Sequence, residues 1–398
     1  MELTTVWFAL IAVLWIGYFV LDGFDLGVGM LLPVIGTDDL RRRVMINSIA
    51  TVWDGNEVWL LVAGGATFAA FPLWYATMFS GYYLALFLVL VGLILRGVAF
   101  EYRGKRDSAT WRKRWDWCIV VGSALPALLF GVAFGNVVGG SPIEPIEGTQ
   151  PDLAGSLNFT GNLFSLLNPF SLLMGVMTLT VFMAHGAIFL ALKTSGEVRE
   201  ASRHAALRIG LVAAVAAVAA LLWYTFGYSG NMAAALVLSL VAAVCWLAAL
   251  GMTLKGRDGW AFIFSTATIL FAVTTLFVGL FPNVMVSSID SAYNLTVTNA
   301  SSQSYTLTVM TIVAVVMTPI VLIYQGWTFW VFRKRISTSM IPPQPATVRF
   351  SGFAVSRISS PPGAMARKAK TKLAAARRSL AASGKPAAGS SAVKRAMS

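Results

Sequence analysis

Apolar runs long enough to cross a bilayer recur along the chain, at about 5–32, 45–69, 76–100, 116–138, 166–192, 206–226, 232–253, 260–281 and 306–332. Short polar stretches separate them. The pattern predicts nine transmembrane helices and an all-α polytopic membrane protein. The polar stretches are asymmetric. Arg41–Arg43, the run from Arg103 to Arg114, Lys193 to Arg208, Lys255 with Arg257, and Arg333–Arg335 follow the first, third, fifth, seventh and ninth segments. The loops after the second, fourth, sixth and eighth contain no Lys or Arg. Positive charge marks the cytoplasmic side, so the N-terminus is expected outside and the C-terminus in the cytoplasm.

The segments group into units. Residues 1–138 form a first four-helix unit, 139–165 an external loop and 166–281 a second four-helix unit. Residues 282–336 hold a further external loop and a ninth, peripheral helix. A weak internal likeness, "YFVLDGFDLG" at 18–27 against "VFMAHGAIFL" at 181–190, suggests that the two units are duplicates. Residues 337–398 change character. They are rich in Ala, Ser, Pro, Gly, Lys and Arg, and read as a basic, disordered cytoplasmic tail. The N-terminal "MELTTVWFAL" lacks a basic region before its apolar run, so the first segment is expected to be retained as a helix.

Composition agrees with this class. Of 398 residues, 57% are hydrophobic and only 12% charged, about half the charged share of a soluble domain. The net charge of +13 sits in the inner loops and tail, a distribution that argues against nucleic acid; the tail reads as solvated without a specific partner, with attraction to anionic lipid headgroups as the alternative. Cys118 and Cys245 are too few and too far apart for a metal motif or a disulfide framework.

The exceptions to the apolar pattern are the candidate chemistry. Asp22 and Asp25 lie in the first segment, Asp54 and Glu57 in the second, and each pair is three residues apart, on one helix face. Counting helical rise from the basic ends places Asp22 and Asp54 roughly 15 Å deep and Asp25 roughly 10 Å deep. A charged Asp at a helix centre costs about 2.5–3.5 kcal/mol, so four acids approach roughly 10–14 kcal/mol if the costs add. Arg96, alone among Lys and Arg, lies outside the basic loops, either as a snorkelling anchor or as a buried partner of these acids. Some carboxylates are therefore expected to be protonated or paired across a subunit boundary. Acids at graded depth suit proton transfer through low dielectric; a static hydrogen-bond network between helices is the alternative.

The two histidines are His185, in the fifth segment, and His204, in an inner loop. A haem-carrying membrane subunit needs axial ligands, and His185 would need a second such as Met. His185 reads instead as a satisfied polar residue or a neighbour of a proton path. No phosphate-binding loop, zinc spacing or nucleophile constellation is present in the sequence. Redox chemistry in this chain alone is not expected.

These residues resemble a known family. "DGFDLGVGML" at 22–31, "NSIATVWDGNEVWL" at 47–60, "GGATFAAFP" at 64–72, "LRGVAFEYR" at 95–103 and "WDWCIVVGSALPALLFGVAFGN" at 115–136 look like subunit II of the cytochrome bd quinol oxidases. So do "AHGAIFLALKT" at 184–194, "NLTVTNASSQSYTL" at 294–307 and "YQGWTFWVFRKR" at 324–335. The resemblance spans about 5–336. It implies a heterodimer in a bacterial plasma membrane with a haem-bearing subunit I, in some cases with a very small accessory membrane subunit. That complex oxidises quinol, reduces dioxygen to water and takes protons from the cytoplasm. The b-type and d-type haems belong to subunit I, and subunit II carries none. The resemblance further places Asp22, Asp25 and Asp54 on a proton pathway, and some relatives hold a quinone in this subunit; on the reading of the residues themselves, Arg96 is expected to set the local potential as their charge partner. Thr51 stands where many members carry Pro, and Glu57 where some carry Gln, which leaves the part of Glu57 open. The rival reading is an independent ion-coupled transporter, which also uses midplane acids and repeats.

Overall fold

The computed structural model describes residues 2–146 and 157–341. Most of the expected tail, 342–398, and the middle of the first external loop lie outside the described residues. Twelve α-helices follow in order. They are α1 (Leu3–Met30), α2 (Leu32–Ile35), α3 (Asp39–Ile49), α4 (Trp53–Ala70), α5 (Pro72–Gly81), α6 (Tyr83–Tyr102), α7 (Ala109–Gly139), α8 (Pro169–Lys193), α9 (Glu197–Gly227), α10 (Met232–Leu254), α11 (Asp258–Leu280) and α12 (Ser304–Val331). Helix starts carry local signals. Pro72 and Pro169 occupy first-turn positions, and Asp38, Ser108, Asn168 and Asn231 cap α3, α7, α8 and α10 by accepting a backbone N–H. Two short hairpins, β1 (Ile143–Pro145) with β2 (Leu157–Phe159) and β3 (Asn283–Met285) with β4 (Leu295–Thr296), lie among the loops that lack basic residues.

Among the described residues, eight helices are long and apolar enough to cross a membrane: α1, α6, α7, α8, α9, α10, α11 and α12. The difference from nine lies in the second expected segment. The apolar run at 45–69 is not one helix. α3 ends at Ile49, and Val52, with φ −131° and ψ −25°, turns the chain into an 18-residue α4. α3 is polar, carrying Asp39, Arg41, Arg42 and Arg43, so its charges tie it to the basic loops while the apolar chain beyond packs on α1. The depth count for Asp54, which assumed a continuous helix from Val44, therefore does not apply; Asp54 sits in the first turn of α4. The third expected segment is likewise divided, at Tyr82, into α5 and α6.

α1 is the hub of the packing. It contacts α4, α7, α8, α11 and α12. Its crossing with α8 is backbone on backbone. A methyl group on Gly27 would overlap the Phe182 carbonyl oxygen, and one on Gly186 would come within 2.6 Å of the Gly27 carbonyl carbon. Small residues permit this approach, which replaces the hydrophobic driving force that helices lack in lipid. Gly27→Leu is expected to force the helices apart and to lower the thermal unfolding midpoint of the detergent-purified protein by several degrees, since overpacking costs about 1–3 kcal/mol. An unchanged midpoint would mean that α1 and α8 are not held at this crossing.

The basic ends of the helices are tied by ion pairs in a similar way in each half. Buried Asp116 of α7 accepts from Arg42 (2.9 Å) and Arg103 (2.5 Å), and Arg103 also reaches Asp39 at 2.8 Å. Buried Asp258 of α11 accepts from Arg199 (2.7 Å), Arg203 (2.8 Å) and Arg335 (3.1 Å). Arg41 and Glu197 pair across from α3 to α9. After α12 the chain turns back onto this end: Ile336 N–H donates to Lys193 O (2.8 Å), Ser195 N–H donates to Ile336 O (3.1 Å), and Ile341 is buried. Residues 337–341, which begin the stretch read as tail, thus belong to the folded body.

Candidate functional site: a buried arginine with three carboxylates

The site forms where α1, α4 and α6 meet. Arg96 of α6 is fully buried, and so are Asp22 and Asp25 of α1. Gly122 of α7 makes room for the arginine. A methyl group there would stand 2.9 Å from Arg96 N, so only glycine lets α7 lie this close to α6. The Arg96 guanidinium donates from one nitrogen, Nη2, to Asp22 Oδ1 at 2.8 Å and to Glu57 Oε2 at 2.9 Å. Glu57 is partly exposed, and the Trp53 ring lies with its centroid 6.0 Å from the guanidinium carbon. Arg96 is therefore the buried partner and not a snorkelling anchor.

Asp25, one turn along α1 from Asp22, takes no bond from Arg96. Its Oδ2 accepts from Asn56 Nδ2 at 2.7 Å. Asn56 Oδ1 in turn accepts from Gln325 Nε2 of α12 at 3.2 Å, and Gln325 Oε1 accepts from the Trp59 indole at 2.8 Å. Arg96 Nε and Nη1 and Asp25 Oδ1 are buried without a hydrogen-bond partner among the described residues. The arrangement holds three carboxylates for one guanidinium. Buried charge must be balanced, so protons or further cations make up the difference.

The sequence candidates thus fall into three places. Asp22, Glu57 and Arg96 form one ion-paired cluster, and Asp25, one turn along α1 from Asp22, is bonded to Asn56 instead. Asp54 stands apart. It is exposed at the start of α4 and makes no hydrogen bond or ion pair with another described residue. The same flank of α4 is open: Leu61 is 72% exposed, and nothing lies within 4 Å of a methyl group placed on Gly55, Gly64 or Gly65. His185 is fully buried near α1. Its Nε2 pairs with Val20 O (3.1 Å) and its Nδ1 with Ser265 Oγ (2.8 Å), and its ring stacks on Phe262 with centroids 5.0 Å apart. Both ring nitrogens are engaged, so the residue does not fit iron ligation without breaking a buried bond. Among the described residues no three His, Cys, Asp or Glu side chains are grouped to hold a metal ion.

Two residues of the site, Asn56 and Gln325, were not candidates in the sequence. The available signal was that Gln325 is the one carboxamide within α12, and Asn56 sits between Asp54 and Glu57. An apolar cavity of about 280 Å³ lies elsewhere, among α8, α9, α10 and α11, lined by residues such as Met177, Leu221, Trp246 and Ile269.

Comparison with known proteins follows the same lines. Residues 3–332 match the family described as cytochrome bd terminal oxidase subunit II. Among similar proteins is the cytochrome bd ubiquinol oxidase subunit 2 of Bacillus subtilis strain 168, 43% identical over 339 residues, covering 84% of this chain and 97% of that one. The cytochrome bd-I ubiquinol oxidase subunit 2 of Escherichia coli strain K12 is 41% identical over 364 residues, covering 83% and 94%. A chain in the solved structure of the bd oxidase from Geobacillus thermodenitrificans superposes with a TM-score of 0.67 over 84% of this chain and all of that one. At 14% identity this last likeness speaks for the fold alone.

Proposed function

Because the chain belongs to the cytochrome bd terminal oxidase subunit II family, we propose that it is the haem-free subunit of a bacterial quinol oxidase that scaffolds a haem-bearing subunit I and brings cytoplasmic protons to it. The observation that carries the proton reading is the buried Arg96 paired with Asp22 and Glu57, with buried Asp25 one helical turn from Asp22. A membrane protein bears the cost of such a cluster where charge must pass.

In this reading protons enter near residues 37–43, pass Asp25 and Asp22, and leave by Asp54 into subunit I. The open flank of α4 supports the exit. An exposed carboxylate beside glycines and bare apolar side chains suits a close protein neighbour better than lipid. Arg96 holds the potential of the path, and the unpartnered polar atoms around it call for internal water, which buried groups recruit. The nine-span topology, N-terminus outside, belongs to this proposal, with α4 as the short ninth crossing beside the eight longer helices. The expected two-unit division, with 139–165 as external loop and α12 peripheral, is likewise proposed. So are a very small accessory subunit and bound membrane lipid. The cavity among α8–α11 has the chemistry to take an acyl or isoprenoid chain, a lipid's or a quinone's.

The haems belong to subunit I, where they supply the electron and oxygen chemistry. This chain's part is to orient, exclude lipid and move protons. Family membership stands against an independent transporter. Purification tests the assignment. A tagged chain extracted in mild detergent should bring down a second, larger-absorbing partner with b-type and d-type haem bands. A chain that purifies alone and without haem absorbance, from cells reducing oxygen with quinol, would overturn the oxidase reading.

A further inference from the structure

The hydrogen bonds behind Asp25 have a fixed direction. The Trp59 indole N–H can only donate. Gln325 must therefore turn its Oε1 to Trp59, at 2.8 Å, and its Nε2 to Asn56, at 3.2 Å. Asn56 must then present Oδ1 to Gln325, which leaves Nδ2 for Asp25 Oδ2 at 2.7 Å and for Leu21 O at 3.4 Å. Reversing either amide would set oxygen against oxygen or N–H against N–H, at buried Asn56 or half-buried Gln325, which costs part or all of the desolvation of an unpaired group. One donor-only group on α4 thus orients two amides on two helices.

We infer that Gln325 of α12 is a positioning residue, which through Asn56 keeps an N–H on Asp25 Oδ2 and so makes Oδ1 the oxygen that takes and gives up the proton. A carbonyl oxygen is a better acceptor than a hydroxyl oxygen, so the N–H of Asn56 on Oδ2 favours the hydrogen on Oδ1. Oδ1 is buried with no partner among the described residues, so it is the open acceptor of the pair. α12 is otherwise a poor packing element: only Leu307 is buried along its 28 residues. Its contacts are with α1 and α4, and at Gln325 they reach the carboxylate cluster. The ninth expected helix, peripheral by packing, is central by hydrogen bonding.

This inference rests on the proton-path reading, and the test separates the two. The whole oxidase complex is prepared with Gln325→Met, Trp59→Phe and Asp25→Asn, each judged for assembly by haem content. Gln325→Met should lower quinol-driven oxygen consumption roughly two- to tenfold, the range set by one hydrogen bond, without changing the quinol KM. Added to Asp25→Asn it should cause no further loss. Trp59→Phe removes the orienting N–H together with the outer indole ring that lies against Gly17; it should act in the same direction, and it serves if Gln325→Met lowers assembly. The infrared carboxyl band that disappears in Asp25→Asn should shift in both variants, which a merely structural role would not do. An unmoved band together with unchanged turnover in assembled Gln325→Met or Trp59→Phe overturns the positioning role. Full turnover in Asp25→Asn with a shifted band would instead remove the proton path and leave the positioning intact.

Discussion

Arg96→Met is expected to abolish accumulation of the folded subunit. The substitution keeps much of the volume and removes the guanidinium that serves both Asp22 and Glu57. Breaking a buried ion pair by deleting one partner costs about 3–5 kcal/mol, because the remaining charge has nothing to replace it. That is a large part of a typical stability of about 5–15 kcal/mol. The pairing geometry also says what should rescue the site. Both carboxylates converge on one nitrogen, Nη2, so a point charge can serve them. Arg96→Lys should retain assembly in part. Arg96→Met combined with Asp22→Asn and Glu57→Gln should also recover folded protein, since it removes cation and anions together, but should not recover oxygen reduction. The measurement is the yield and thermal midpoint of detergent-extracted complex. Wild-type yield for Arg96→Met alone would show that the cluster does not hold the three helices together.

Asp54→Asn should behave in the opposite way. Asp54 makes no hydrogen bond or ion pair with another described residue, so the fold of this chain owes it only the small stabilisation of an acid in the first turn of α4. The amide keeps the shape and cannot exchange a proton. Haem content should match wild type while quinol-driven oxygen consumption falls roughly a hundredfold, the lower end of what a positioned proton-transfer group contributes. Asp54→Glu should keep most turnover. Full activity in the assembled Asn variant would remove Asp54 from the pathway and leave the cluster around Arg96 as a structural network.

Much of this was legible before any coordinates. Eight of the nine expected spans appear as long apolar helices because hydropathy over some twenty residues is a local property. The four acids and Arg96 were conspicuous for the same reason: each is an expensive residue in an apolar run. What was not legible was the break at 50–52 and the amide chain through Asn56 and Gln325. The run at 45–69 has enough apolar character to read as one helix. The division goes with contacts made elsewhere in the chain: ion pairs hold α3 to Asp116 and Glu197, while α4 packs on α1.

The sequence by itself determined the class of protein, its family and the small set of charged side chains that must be accounted for within the membrane. It did so because the cost of burying a charge, and the length needed to span lipid, are set by residue type and order alone. The tertiary structure decided the pairing. Arg96 took Asp22 and Glu57, Asp25 took Asn56, and Asp54 was left facing outward. Those choices depend on distances of about 3 Å between side chains from 31 to 74 residues apart in the chain. Coulomb and hydrogen-bond energies change steeply over that range, and only the packing of α1, α4 and α6 fixes it.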